Sequence, residues 1–251
     1  MSLSRTVTRL LPAKTVIALR SLKRRLTGIP QVGTVNLGDL RRLTPISRAF
    51  GFDRGTPIDR FYIERFLDAN SSDIRGRVLE IGEDTYSRRY GGNRIGSVDI
   101  LNLTADCPEA TIIADLSNAP HVADDQFDTI IFTQTLQYVR DAPAAIRTLY
   151  RILAPRGVLL MTVPGISRAE AGPNSPDTKY WSFTDLSVRA LLNLSFKPSD
   201  VVTTVGGNVL AAVAFLEGLA LEEVGKDALE YQDPDYPVNI AARAMKDGMP
   251  S

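Results

Sequence analysis

Glu80-Ile81-Gly82 closes the run Arg77-Val78-Leu79, and it is the stretch best placed to do chemistry. An apolar run that ends on glycine without an earlier turn former reads as a buried strand stopping at a tight turn. Glycine there lets a ligand approach the backbone, and the carboxylate before it can accept hydrogen bonds from an ammonium or a hydroxyl. Asp84 continues the turn with a residue that tolerates positive φ. Two further stretches join reactive side chains to turn chemistry. One is Phe50–Leu67, where Arg54, Asp59, Arg60 and Tyr62 sit beside glycine and proline. The other is Tyr180-Trp181-Ser182-Phe183-Thr184. Both suit the lining of a substrate site, although charge of this kind is also found in structural ion pairs, and such aromatics in cores.

His121 is the single histidine and Cys107 the single cysteine of 251 residues. One cysteine permits no internal disulfide and no thiolate metal cluster, so no metal is expected. One histidine leaves none for a His-rich metal site or for a Ser-His-Asp triad away from His121. Basic and acidic residues both total 29, yet residues 1–48 hold ten bases and one acid, leaving 19 bases and 28 acids in the remainder. An acidic body of this kind argues against nucleic acid as a partner.

The elements that must position these residues follow from periodicity. Residues 1–48 read as a basic leader with a helix over Pro12–Gly28, whose Val16, Leu19, Leu22 and Leu26 fall near one face. Such a helix can lie on an anionic membrane surface, or dock its stripe on the domain or a partner. No apolar run is long enough to span a bilayer and no signal-peptide pattern opens the chain, so a cytoplasmic protein, peripheral at the membrane through 12–28, is expected. From residue 49 onward, strands are expected over Arg77–Gly82, Arg94–Leu101, Ala110–Leu116, Phe127–Thr133, Gly157–Pro164, Val201–Val205 and Tyr236–Ala244. Helices are expected near Ile58–Leu67, Ser87–Gly92, Ala142–Leu153, Thr184–Leu194 and Asn208–Leu221. This alternation predicts an α/β fold: a Rossmann-like, mostly parallel seven-stranded sheet with helices on both faces and an antiparallel last strand.

Four pieces in this order resemble a class I S-adenosylmethionine-dependent methyltransferase: Val78-Leu79-Glu80-Ile81-Gly82, Asp115-Leu116, Phe127-Asp128-Thr129-Ile130-Ile131, and Leu149 through Gly157 with its Arg151, Leu153, Pro155 and Gly157. The Phe50–Leu67 and Tyr180–Thr184 segments are similar to a bacterial subgroup associated with glycan assembly. The resemblance implies S-adenosylmethionine as cofactor and a small-molecule or glycan acceptor; it does not name the methylated group, for which a sugar or glycan-linked hydroxyl is one candidate. It implies Glu80, Gly82 and Asp84 at the methionyl and ribose end, and Asp99, 17 residues beyond Gly82, on the ribose hydroxyls. Asp115 and Leu116 would meet the adenine. Thr133 would face the methyl group, with Gln134 beside the acceptor. Arg54, Arg60, Tyr62, Tyr180 and Trp181 would complete the acceptor site.

The sequence departs from that family where Asp84 and Tyr86 stand in place of the second and third turn glycines, and Tyr86 is expected to cover the cofactor. The stretch between Asp99 and Asp115 is too short for the usual helix. No general base stands out. His121, Asp59 and Tyr180 are the candidates, His121 only by elimination. A nicotinamide dehydrogenase is disfavoured because G-x-G-x-x-G is absent after Leu79. The alternative to an enzyme is a noncatalytic partner of a membrane-associated glycan-assembly system.

Overall fold

The computed structural model describes residues 32–170 and 178–248, together with Pro12, Thr15, Gly28 and Pro30. Apart from Pro12, Thr15 and Gly28, the helix expected over 12–28 lies outside the described residues, as does 171–177 of the polar segment. The chain divides into two units, Met1–Thr44 and Pro45–Ser251. Among the described residues of the first, a 3-10 turn runs Gly38–Arg41.

Seven strands build the second unit: β1 (Gly76–Ile81), β2 (Ile95–Asn102), β3 (Ile112–Ile113), β4 (Phe127–Thr133), β5 (Leu153–Pro164), β6 (Val201–Gly206) and β7 (Asn239–Met245). They form one sheet in the order β3-β2-β1-β4-β5-β7-β6. Pairs from β3 to β5 are parallel, and β7 runs antiparallel to both β5 and β6. The helices are α1 (Ile58–Ala69), α2 (Thr85–Gly91), α3 (Ala142–Ile152), α4 (Asp185–Leu192), α5 (Val209–Glu217), α6 (Leu221–Val224) and α7 (Lys226–Glu230). The α/β architecture and the antiparallel last strand are those the sequence predicts.

Alternate strand residues enter different cores, as the pleat requires. Leu79, Ile130, Leu159 and Met161 pack against Ala145, Ile146 and Leu149 of α3 and Val188 of α4. Their neighbours Val78, Ile131, Val158 and Leu160 pack on the other face, against Ile63, Phe66 and Leu67 of α1. A third cluster joins Ile58, Phe61 and Tyr62 of α1 to α5 and to Leu229 of α7. The strands are apolar runs because both faces are covered.

Local chemistry fixes the helix ends. Thr184 and Ser187 form a reciprocal capping box on α4. Asn208 accepts the Ala211 amide at the start of α5, and Gly218 ends that helix at φ +71. Two boundaries differ from expectation. β3 is only two residues long because Asp115 turns back to accept the Ser117 amide, which ends the extended run. β5 starts at Leu153, which pairs with Phe127, and absorbs the Pro155 turn through a register shift.

Candidate functional site

The turn after β1 is built around Glu80. Its side chain is 2% exposed, and its two carboxylate oxygens accept the backbone amides of Tyr86 at 3.0 Å and Ser87 at 2.7 Å. These amides open α2, so a buried acid meets the positive end of a helix. Burial pushes the Glu80 carboxyl up, against the pull of the Ser87 and Tyr86 hydrogen bonds. Gly82 follows at φ +82, and a Cβ added there would meet nothing within 4 Å. The turn therefore presents open backbone at the carboxyl edge of the sheet, with Glu80 holding it from behind.

Beyond it lies a cavity of about 430 Å³ along the carboxyl ends of β1 to β4. Ile81, Asn102, Asp115, Leu116, Thr135 and Tyr180 are among its walls. Asp115 Oδ1 accepts both the amide and the hydroxyl of Ser117, at 2.8 and 2.7 Å, which leaves the other oxygen to a guest. Asn102 accepts the Leu103 amide at 2.8 Å. A cavity with polar and apolar walls on strand ends suits a nucleoside.

A second cavity, about 240 Å³, adjoins the first through Tyr138, which lines both. Asp59 and Arg60 of α1 enter its wall with Phe50, Phe52, Gln134 and Gln137. Gln134 holds φ +47, a left-handed conformation that costs a non-glycine residue about 1–3 kcal/mol. It is kept there by its amide bonded to the Thr162 carbonyl at 2.8 Å and by its side chain donating to Asn239 at 2.9 Å. Arg60 donates to the Tyr86 hydroxyl at 2.5 Å and lies over the Phe52 and Tyr86 rings. Burial pushes the Asp59 carboxyl up, opposed by the Arg60 charge and nearby backbone amides. Burial also lowers Lys179, whose Nζ donates to the Arg168 carbonyl at 3.1 Å.

The sequence profile of a methyltransferase domain matches residues 48–193, more than half of the chain. The chain belongs to this methyltransferase domain family. No curated protein matches it. Among solved structures, a SAM-dependent methyltransferase from Archaeoglobus fulgidus is 13% identical, with 74% of this chain and 94% of that one aligned at a TM-score of 0.50. Haemonchus contortus phosphoethanolamine N-methyltransferase 2, in complex with S-adenosyl-L-methionine, is 15% identical over 86% of this chain and 61% of that one, also at 0.50. The cyclase SpnF reaches the same score at 15% identity, over 82% and 88%. At such identities these likenesses establish the fold.

Within this methyltransferase domain, Asp115, Leu116 and Tyr180 line the nucleoside-sized cavity, and Asp59, Arg60 and Gln134 line the second one. Tyr180 thus lines the first cavity and not the second. Asp99 is displaced. It pairs in register with Leu79, three residues before Asn102 ends β2, and its carboxylate is taken by Arg77 at 2.8 Å and the Thr111 hydroxyl at 3.0 Å. Asn102 stands at the strand end instead. The apolar pair Ile100-Leu101 extending β2 past Asp99 was the signal for it.

Other expected residues are also engaged elsewhere. Asp84 pairs with Arg88 at 2.5 Å. Thr133 gives its carbonyl to the Thr135 hydroxyl, and it is Thr135 that lines the cavity. Arg54 bonds Glu223 of α6. Tyr62 turns into the α1–α7 contact, its hydroxyl 3.2 Å from the Leu229 carbonyl and its phenol pushed up to about 12 by burial. Trp181 donates to the Val139 carbonyl at 3.0 Å, partly exposed, outside both linings. His121 Nε2 lies 3.0 Å from the Ile113 carbonyl and lines neither cavity. Tyr86 does not cover the nucleoside-sized cavity: it is buried under the sheet with its hydroxyl on Arg60. Gln137 and Tyr138 were missed, since a single 3-10 turn over Leu136–Tyr138 carries no periodicity to read.

Proposed function

We propose that the chain is an S-adenosylmethionine-dependent methyltransferase acting on a hydroxyl of a small-molecule or glycan-linked sugar. The observation that carries this reading is the pair of cavities sharing Tyr138 at one sheet edge, since methyl transfer needs donor and acceptor side by side. When bound, S-adenosylmethionine supplies a methyl carbon on a positively charged sulfur. Asp115 and the Leu116 backbone meet the adenine, Asn102 meets the ribose, and Gly82 leaves room for the methionyl arm. Glu80 holds the turn that carries Gly82. Arg60 and Gln134 form the acceptor wall.

The residues fit the cofactor, with one weakening. Asn102 offers a diol one acceptor and one donor where a carboxylate offers two acceptors. No helix among the described residues is long and apolar enough to cross a membrane, and none of their His, Cys, Asp and Glu side chains cluster as a metal site. Cytoplasmic residence with reversible contact of 12–28 on anionic membrane is part of the same proposal. Calorimetry on the full chain with S-adenosylmethionine and S-adenosylhomocysteine tests the central claim. Binding of both is expected. Binding of neither at roughly millimolar concentration would replace the enzyme by the noncatalytic glycan-assembly partner.

A further inference from the structure

Two oxygens in the wall of the second cavity stand out. Asp59 Oδ1 and Gln137 Oε1 are closed off from solvent and have no hydrogen-bond partner. Folded proteins rarely leave buried acceptors unmet, and the two residues that carry them line the same 240 Å³ space. A guest that brings hydrogen-bond donors would satisfy them. Of the cations nearby, Arg60 donates to Tyr86, Lys179 to the Arg168 carbonyl, and Arg168 lies over the Phe50 ring. Glu170 takes the Tyr138 hydroxyl and faces Lys179 across the same wall. An anionic guest would bring no donors and would meet Asp59 and Glu170. The two acids of the lining are already balanced by Arg60 and Lys179, so an ammonium guest would leave a net positive charge in the cavity. A neutral polyol suits the cavity, with the Phe50 and Phe52 rings as its apolar wall.

Resting on the methyltransferase reading above, we propose that this cavity takes a neutral acceptor with two adjacent hydroxyls, one donating to Asp59 as catalytic base and the other to Gln137. In the transfer, the first hydroxyl oxygen bonds to the methyl carbon while its O–H bond breaks and the proton passes to Asp59. The carbon–sulfur bond breaks with its electron pair going to sulfur, and the products are the methyl ether and neutral S-adenosylhomocysteine. Asp59 then returns its proton to water. Burial holds its carboxyl above the ordinary range, which brings its basicity nearer to that of a working base. The charged and titratable groups around it are Arg60, Tyr86, Tyr138, Glu170 and Lys179.

The test uses the full chain and three probes: methyl α-mannopyranoside for a neutral vicinal diol, ethanolamine for an amine and glutarate for an acid. Two readouts are followed, the thermal shift of the cofactor-free protein and tritiated methyl transfer from S-adenosylmethionine. The mannoside alone is expected to raise the melting temperature and accept methyl. Gln137→Leu is expected to raise KM with kcat kept. Asp59→Asn is expected to lower kcat by about 10²–10⁴-fold and to abolish the acid limb of the pH profile, with S-adenosylhomocysteine affinity unchanged. That unchanged affinity also shows that the variant is folded, and Asp59→Glu should recover part of the rate. Loss of S-adenosylhomocysteine binding by the wild type defeats the methyltransferase reading itself. If the wild type binds it, then response only to ethanolamine or glutarate, no response to the mannoside, or a wild-type rate in Asp59→Asn each overturns the acceptor assignment.

Discussion

Replacing Glu80 by glutamine probes how the cofactor turn is held. In the native chain, Oε1 accepts the Tyr86 amide at 3.0 Å and Oε2 the Ser87 amide at 2.7 Å, both out of solvent. Glutamine keeps the shape but offers one oxygen. Its NH2 then opposes a buried backbone N–H, so one charge-assisted bond is lost, worth about 1.5–3 kcal/mol. Against this, burial already disfavours the charged Glu80, and a neutral amide escapes that penalty. The net loss is set at about 2 kcal/mol, which for a domain of this size lowers the melting temperature by about 4–8 °C. Circular dichroism melts of wild type and Glu80→Gln measure it, with calorimetry on S-adenosylhomocysteine following the turn itself. Affinity should fall along with stability, because Gly82 is carried on the same turn. A variant that melts within about 1 °C of wild type would refute the claim that the carboxylate holds the start of α2.

The other predictions concern single sites. Gly82→Val places a branched residue at φ +82, a strain of roughly 1–2 kcal/mol, and fills the open backbone; S-adenosylhomocysteine binding should vanish in a protein that still melts cooperatively. Asn102→Asp restores two acceptors at the end of β2 and should tighten S-adenosylhomocysteine by about 1 kcal/mol, several-fold in affinity; weaker binding would remove Asn102 from the ribose. Asp99→Ala breaks a partly exposed pair with Arg77 and should cost only about 0–1 kcal/mol of stability while leaving cofactor affinity alone. Asp59 has its folded pKa raised above the ordinary 3.8, so its stabilising share is whole below that value and is lost as pH rises through the folded one. Asp59→Asn does not titrate and should gain stability relative to wild type as pH goes from acid to neutral, read from urea midpoints; a constant gap would count against the shift.

What the sequence determined by itself is what local physics controls. Val78-Leu79, Ile130-Ile131 and Leu159-Leu160 had to be covered on both faces, and that alone called for a parallel sheet between helix layers. Glycine after Glu80, the Thr184 cap and the Asn208 to Gly218 bounds of α5 are decided by backbone preferences of a few neighbouring residues. The tertiary structure decided which side chains reach the edge. β2 extends to Leu101 through its pairing with β1 and to Asn102 through its pairing with β3, and a strand end moved by three residues exchanges an acid for an amide at the cavity. On α1, Asp59 and Arg60 line the second cavity while Tyr62, at most three residues on, turns into the packing against α7, because a helix rotates about 100° per residue. Gln137 and Asp59 line one cavity only because the turn after β4 folds near the start of α1, a juxtaposition across more than seventy residues that no local pattern can encode.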